Sequence, residues 1–189
     1  MFREMNLEQF AARTADRTPT PGGGNVGAFV AALGAALGAM SARFTTGDKF
    51  AAIADRIQPI VEEYDRLRCR FVDLMERDAE AYGRYAEACR LPKDTAEQKE
   101  RRKKAMAEAA AASLAVPREA MAECLKGMKT TRELAPLCNP RLLGDVAAAA
   151  YFMNAAAKVA LLNVHENAAS IADASEREKV RGEAMATAA

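Results

Sequence analysis

Tryptophan is absent from this 189-residue chain, and aromatic residues make up only 6% of it. Val and Ile together number 13, against 44 Ala. Ala is the strongest helix former, whereas β-branched and aromatic side chains favour strands, so this shortage excludes a β-rich fold. A core with so few large side chains is built from small ones, and helices then approach closely. Charge of one sign is lacking too: 27 Lys and Arg stand against 26 Asp and Glu. That balance has neither the basic footprint of a nucleic-acid binder nor the acidic bias of a disordered tail. There is one His, and the four cysteines (Cys69, Cys89, Cys124, Cys138) form no C-x-x-C pair. A zinc site takes about four ligands, usually from closely spaced pairs, so no metal site is expected. Met1–Asn6 carries Arg3 and Glu4 with no apolar run behind it, unlike a signal peptide. A cytoplasmic protein with reduced thiols is the expectation.

The length suits one domain, 1–189. No charged residue lies between Arg17 and Arg43. That run opens with Thr18-Pro19-Thr20-Pro21-Gly22-Gly23-Gly24-Asn25, which is loop chemistry. Val26–Ala42 is then dominated by Ala and Gly rather than Leu, and reads as a soluble helix buried on most sides, not a membrane span. Gly27, Ala31, Gly34, Ala35 and Gly38 share one smooth face. Helix starts are signalled by Asn6 with Gln9, Asp94 with Glu97, and Ser175 with Glu178. From Asp48 to Arg90 an apolar stripe runs through Phe50, Ile57, Tyr64, Phe71, Leu74, Tyr82 and Tyr85, with a kink expected at Pro59. A second long helix runs from Asp94 towards Met128 with Pro117 inside it, and a third from about Leu142 to Asp173. The expected fold is all-α: an elongated antiparallel helical bundle with an Ala/Gly-rich core and no β-sheet. The uncharged faces of Val26–Ala42 and Val146–Ala172 exceed what one neighbour covers, which predicts a homodimer.

A few polar residues interrupt this apolar plan. Asp78 lies on the stripe between Leu74 and Tyr82, where a carboxylate is costly unless paired. It is half of a structural ion pair, a point where the stripe turns towards solvent, or an active-site acid, base or cation anchor. The glycine loop opens a helix, whose free N–H groups and dipole favour an anion, but no Gly-Lys-Ser/Thr follows as in a P-loop. Asp145 follows Gly144 at the start of the last long helix, where an acid also serves as a cap. Asn163 and Asn167 are one turn apart on that helix. Asp145 and Asn163 are 18 residues apart, roughly 27 Å of helix axis, too far to touch one reacting atom. His165 reads as surface or structural, and Lys99–Lys104 as a solvated basic face or a dock for carboxylates.

Taken in order, these pieces resemble the cyclodeaminase/cyclohydrolase family, which includes the C-terminal domain of formiminotransferase-cyclodeaminase and stand-alone methenyltetrahydrofolate cyclohydrolases. Pro21-Gly22-Gly23-Gly24-Asn25-Val26 opens an Ala/Gly helix followed by Thr46-Gly47-Asp48-Lys49. Asp78-Ala79-Glu80-Ala81-Tyr82 and Leu91-Pro92-Lys93 come next, then Arg102, Pro117, Asn139, Asp145, Asn163-Val164-His165-Glu166-Asn167 and Asp173. The resemblance covers about residues 5–175. Asn25 and Gly144 stand where the family usually carries Ser.

The resemblance implies an all-α homodimer acting on one-carbon adducts of tetrahydrofolate. It needs no metal or redox cofactor and has no nucleic-acid or membrane partner. One reaction is hydrolysis of 5,10-methenyltetrahydrofolate to the 10-formyl compound, the reading favoured for a chain without a formiminotransferase domain. The other is cyclisation of formiminotetrahydrofolate with release of ammonia. A non-catalytic helical scaffold is the alternative of another class, and Asp78 on an apolar stripe argues against it. Asp78 and Asp145 are the candidate catalytic carboxylates. Asn163 and Asn167 are candidates for hydrogen bonds to the pterin, and Asn139 for a further substrate contact. Pro21, Gly22, Gly23, Gly24 and Asn25, with Arg102 or Lys49, are candidates for holding glutamate carboxylates.

Overall fold

The alanine-rich segments fold as helices. The structure, a computed structural model, describes residues 1–171 and 173–188. They form α1 (Leu7–Ala15), α2 (Gly23–Arg43), α3 (Ala54–Arg90), α4 (Ala96–Leu134), α5 (Leu143–Ala168) and α6 (Ala174–Ala188). Single 3-10 turns lie at Phe2–Glu4, Asp48–Ile53 and Pro140–Leu142, and there is no strand among the described residues. Helices α2 to α5 each pack on two of the others in cyclic order, the pattern of an up-down-up-down bundle. A 37-residue helix such as α3 is roughly 55 Å long, so the bundle is elongated as expected.

Two of the expected helix starts move by a residue or two. Asn6 and Gln9 do exchange backbone bonds in a capping box, at 2.8 and 3.1 Å. At α4, however, the box belongs to Thr95 and Gln98 rather than Asp94 and Glu97. At α6 the carboxylate of Asp173, not Ser175, accepts the Glu176 N–H at 2.9 Å. The expected interruption at Pro59 also shifts. The break falls at the 3-10 turn before Ala54, entered through Gly47 at φ 88°, and Pro59 sits inside an unbroken α3. Pro59 withholds an N–H only from the Asp55 carbonyl, which lies in the first turn at an exposed residue. Helix α5 ends at Ala168 rather than Asp173, with Ser170 donating to the Asn167 carbonyl through both its N–H and its hydroxyl.

The smooth face of α2 does close on its neighbours. No buried side chain in α2 is larger than Asn. Gly27 lies against Val159 and Gly34 against Phe152, both on α5, while Gly38 lies flat against the ring of Tyr64 on α3. Gly127 of α4 receives Met153 of α5 in the same way. Tyr64 is fully buried, and its hydroxyl donates to Thr131 Oγ1 at 2.8 Å. The stripe of α3 fills the middle of the bundle from Ile57 to Leu74. Helix α6 seats Val180 and Ala184 on Met121, Ala160 and Val164. At the N-terminus the Arg3 N–H donates to Glu76 Oε1 at 2.7 Å, and Phe2, Phe10 and Phe29 stack edge to face or tilted.

By length and hydropathy, α2 and the stretch 140–168 would each reach across a membrane. Burial of the small face of α2 explains its composition. Helix α5 keeps more of its apolar surface exposed: Leu143, Tyr151, Phe152 and Leu162 are all open to solvent.

Candidate active site

The end of the bundle where α2 begins and α5 finishes opens into a cavity of about 580 Å³. All four bundle helices contribute walls: Gly24 from α2, Asp78 and Tyr82 from α3, Ser113 from α4, Asn163 and Asn167 from α5. That volume lies in the range of pockets that enclose small organic ligands.

The glycine loop is held down by Asn25. Its Oδ1 accepts the Gly22 N–H and its Nδ2 donates to the Met75 carbonyl, both at 2.7 Å, with no side-chain surface left exposed. Asn25 therefore ties the start of α2 to α3, three residues before Asp78. Its amide serves the backbone on both sides at the edge of the cavity. None of Gly22, Gly23 and Gly24 adopts a positive φ; the one glycine that does is Gly47. The loop therefore needs glycine for close approach, not for a left-handed turn. The need is concentrated at Gly24, where a Cβ would fall 2.6 and 2.7 Å from the Asp78 carboxylate oxygens and 2.8 Å from Asn163 Nδ2. At Gly23 the nearest atom would be Val159 Cγ1, at an ordinary 3.8 Å.

Asp78 forms no ion pair among the described residues. It stands where the open cavity meets the apolar interior, beside Phe71, Leu74, Val116 and Ala160. Burial pushes its carboxyl above the usual carboxylate range. The first turn of α2 lies directly against it, at the helix end whose dipole favours negative charge. Of the two α5 amides, Asn163 meets Asp78 across Gly24, and Asn167 donates through Nδ2 to the Ser113 carbonyl at 2.7 Å.

Other candidate residues lie elsewhere. Asp145 is in the first turn of α5, 18 residues before Asn163 on one unbroken helix, so it belongs to the far end of the bundle. Lys49 is in the 3-10 turn after α2, at that same far end. Asn139 caps the turn Pro140–Leu142 by accepting the Arg141 N–H, while its own N–H donates to Thr45 Oγ1. Arg102 donates to the Cys89 carbonyl at 3.1 and 3.3 Å, pinning the α3–α4 hairpin. Pro21 is buried beneath the loop. Gly22, Gly23, Gly24, Asn25, Asp78, Asn163 and Asn167 are the ones brought together around the cavity.

Tyr82 and Tyr85, read from sequence as core, instead line the cavity, and Tyr82 is 47% exposed. They stand four and seven residues beyond Asp78, past the point where the start of α2 covers α3. Ser113 and Glu166 join them. Their signal was faint: aromatic residues continuing a stripe beyond a buried acid. His165 lies outside this lining, and its carbonyl accepts from Arg181.

A desolvated carboxylate without a cation, an amide beside it and two tyrosines at the rim suit a flat ligand carrying delocalised positive charge. The sequence profile of the formiminotransferase-cyclodeaminase family matches residues 6–186. The rat formimidoyltransferase-cyclodeaminase is 30% identical over 94% of this chain, which spans only 33% of that protein. A methenyltetrahydrofolate cyclohydrolase of Methylorubrum extorquens is 30% identical over 88% of this chain and 81% of its own length. The crystal structure of formiminotetrahydrofolate cyclodeaminase from Thermotoga maritima superposes over 100% of this chain and 92% of its own, with a TM-score of 0.84 and 26% identity. This chain thus spans about a third of the length of the two-activity relatives, and with that profile covering nearly all of it, it belongs to the formiminotransferase-cyclodeaminase family.

Proposed function

We propose that this chain hydrolyses 5,10-methenyltetrahydrofolate to 10-formyltetrahydrofolate. The observation that carries the reading is Asp78, a carboxylate desolvated by its surroundings and left without a cation at the floor of an open cavity. The methenyl bridge is an amidinium. Its positive charge offsets the cost of keeping Asp78 ionised, and Asp78 then stands beside the carbon under attack.

In the reaction, water adds to the carbon bridging N5 and N10. Asp78 takes the proton from that water, which gives a neutral tetrahedral carbon. The C–N5 bond then breaks as the hydroxyl oxygen becomes the formyl carbonyl: N5 takes the proton held by Asp78, the hydroxyl proton passes back to Asp78 and on to solvent, and the formyl group remains on N10. A carboxyl whose proton affinity is raised by burial suits both transfers. Tyr82 and Tyr85 offer a wall for the pterin ring. No step calls for a metal or a redox cofactor.

The similarity to the Methylorubrum cyclohydrolase, over most of both chains, supports the hydrolytic reading. The likeness to the Thermotoga cyclodeaminase favours a second one, in which N10 attacks the formimino carbon on N5 and ammonia leaves. Both reactions pass through a tetrahedral carbon at the same place. Loss of methenyltetrahydrofolate absorbance beside an ammonia-release assay on formiminotetrahydrofolate separates them. Catalysed decay of the methenyl compound without ammonia release from the formimino compound is the expected result. The reverse pattern would transfer the assignment to the cyclodeaminase.

The chain is also expected to work as a homodimer. Leu33 on α2 and Tyr151, Phe152 and Leu162 on α5 leave a broad apolar surface on the outside of the bundle. Light scattering at micromolar concentration should give twice the 20.3 kDa chain mass. Leu162→Glu should shift it towards the monomer; a monomeric wild-type chain would overturn the expectation.

A further inference from the structure

Pro117 stands in the interior of α4. A proline has no N–H, so the carbonyl four residues earlier loses its α-helical donor, and the ring crowds that carbonyl as well. Here that carbonyl belongs to Ser113, and it accepts Nδ2 of Asn167 from α5 at 2.7 Å. A carbonyl oxygen only accepts, so the bond determines which end of the Asn167 amide is nitrogen. Oδ1 is thereby turned away from α4. It accepts no hydrogen bond from the described residues, and Asn167 lines the cavity. The Ser113 hydroxyl meanwhile reaches the Ala81 carbonyl of α3 at 3.5 Å, so one residue links three walls of the site.

We propose that Pro117 is a positioning residue that frees the Ser113 carbonyl to orient Asn167, whose Oδ1 then selects ligands presenting an N–H donor. The identity of that donor rests on the folate reading, in which it is an amide or amino N–H on the edge of the pterin. The orienting device itself is independent of that reading. An amide free to turn offers donor and acceptor alike. One anchored through its nitrogen offers an acceptor alone, and discriminates against a ligand with an acceptor at that edge.

The test is a double-mutant cycle. Pro117→Ala returns an N–H to α4 that competes for the Ser113 carbonyl. Its melting temperature should be unchanged or higher, because alanine favours the helix. Its KM for methenyltetrahydrofolate should nevertheless rise roughly three- to tenfold, the scale of one hydrogen bond, with kcat within about twofold. Asn167→Ala should raise KM by a similar factor, and the double variant should be no worse than Asn167→Ala alone. Additive effects, or an unchanged KM in Pro117→Ala, overturn the proposal. Should Pro117→Ala not fold, Asn167→Asp decides, since it keeps an acceptor but opposes it to the Ser113 carbonyl. KM should rise there too, and an unchanged value overturns the proposal. A readout without folate is hydrogen exchange of the Asn167 side-chain amide by NMR. It should be protected in the wild type and exposed in Pro117→Ala. A wild-type amide exchanging as fast as a surface Asn overturns the device, whereas protection without folate turnover overturns only the folate reading.

Discussion

Asp78→Asn is expected to lower turnover of methenyltetrahydrofolate by roughly 10²–10⁴-fold, the usual contribution of a general acid–base group, while the variant melts no earlier than the wild type. Asn keeps the shape of the side chain but neither faces the amidinium with a charge nor carries its proton. The stability half follows from the surroundings. Among the described residues Asp78 has no ion pair to lose, and burial raises its pKa above that of the unfolded chain. Between the unfolded and folded values the native state holds more protons than the unfolded one, so stability falls as pH rises through that window. Above it the whole cost of the buried charge is present. Asn removes that cost, so the variant should gain on the wild type at pH 8 and lose the advantage at pH 4. Thermal melts at the two pH values, run beside the absorbance assay, check both halves. Earlier melting at pH 8 with an unchanged rate per folded molecule would make Asp78 a structural residue.

Gly24→Ala should cost about 10²-fold in kcat/KM, the scale of a displacement of about 1 Å at a reacting centre. The added methyl group has no space: its nearest neighbours would be the Asp78 carboxylate oxygens at 2.6 and 2.7 Å and Asn163 Nδ2 at 2.8 Å. Either α2 retreats or both polar groups turn, and each outcome disassembles the site. Overpacking of this kind also costs about 1–3 kcal/mol, so a fall in melting temperature should accompany it. Gly23→Ala is the comparison, because its methyl group would meet only Val159 at 3.8 Å. It should keep its activity within a few-fold. Equal losses in the two variants would show that the loop acts through flexibility rather than through one close contact.

The helices were legible because their signals are local. Alanine content, the apolar spacing of α3 and the Asn6–Gln9 box each act within a turn or two. Asp78 was legible for a related reason, as a charge breaking an apolar period. What escaped depends on which parts of neighbouring helices overlap. Nothing local distinguishes Tyr64, which is sealed under Gly38, from Tyr82, which stands clear of α2 on the same stripe. Likewise Gly23 and Gly24 are identical as letters, and only the third dimension gives one of them Asp78 as a neighbour. Asp145 and Asn163 were separable because helix rise is a ruler that works without tertiary knowledge. Arg102, by contrast, looked like a ligand dock until the Cys89 carbonyl was found beside it.

The alanine core has an evolutionary corollary. Every substitution of alanine except glycine enlarges the side chain, so the mutations that reach Ala31, Ala35, Ala149 or Ala156 nearly all add volume where helices already touch. Cores rich in leucine mostly suffer by losing atoms, and neighbouring side chains soften such losses by sagging inward. Backbones in contact across alanine have little to rearrange. Drift in this chain is therefore channelled to its rims, to the polar outer faces of α3 and α4 and to the cavity mouth. The inner faces of α2 and α5 are the ones least able to change in size.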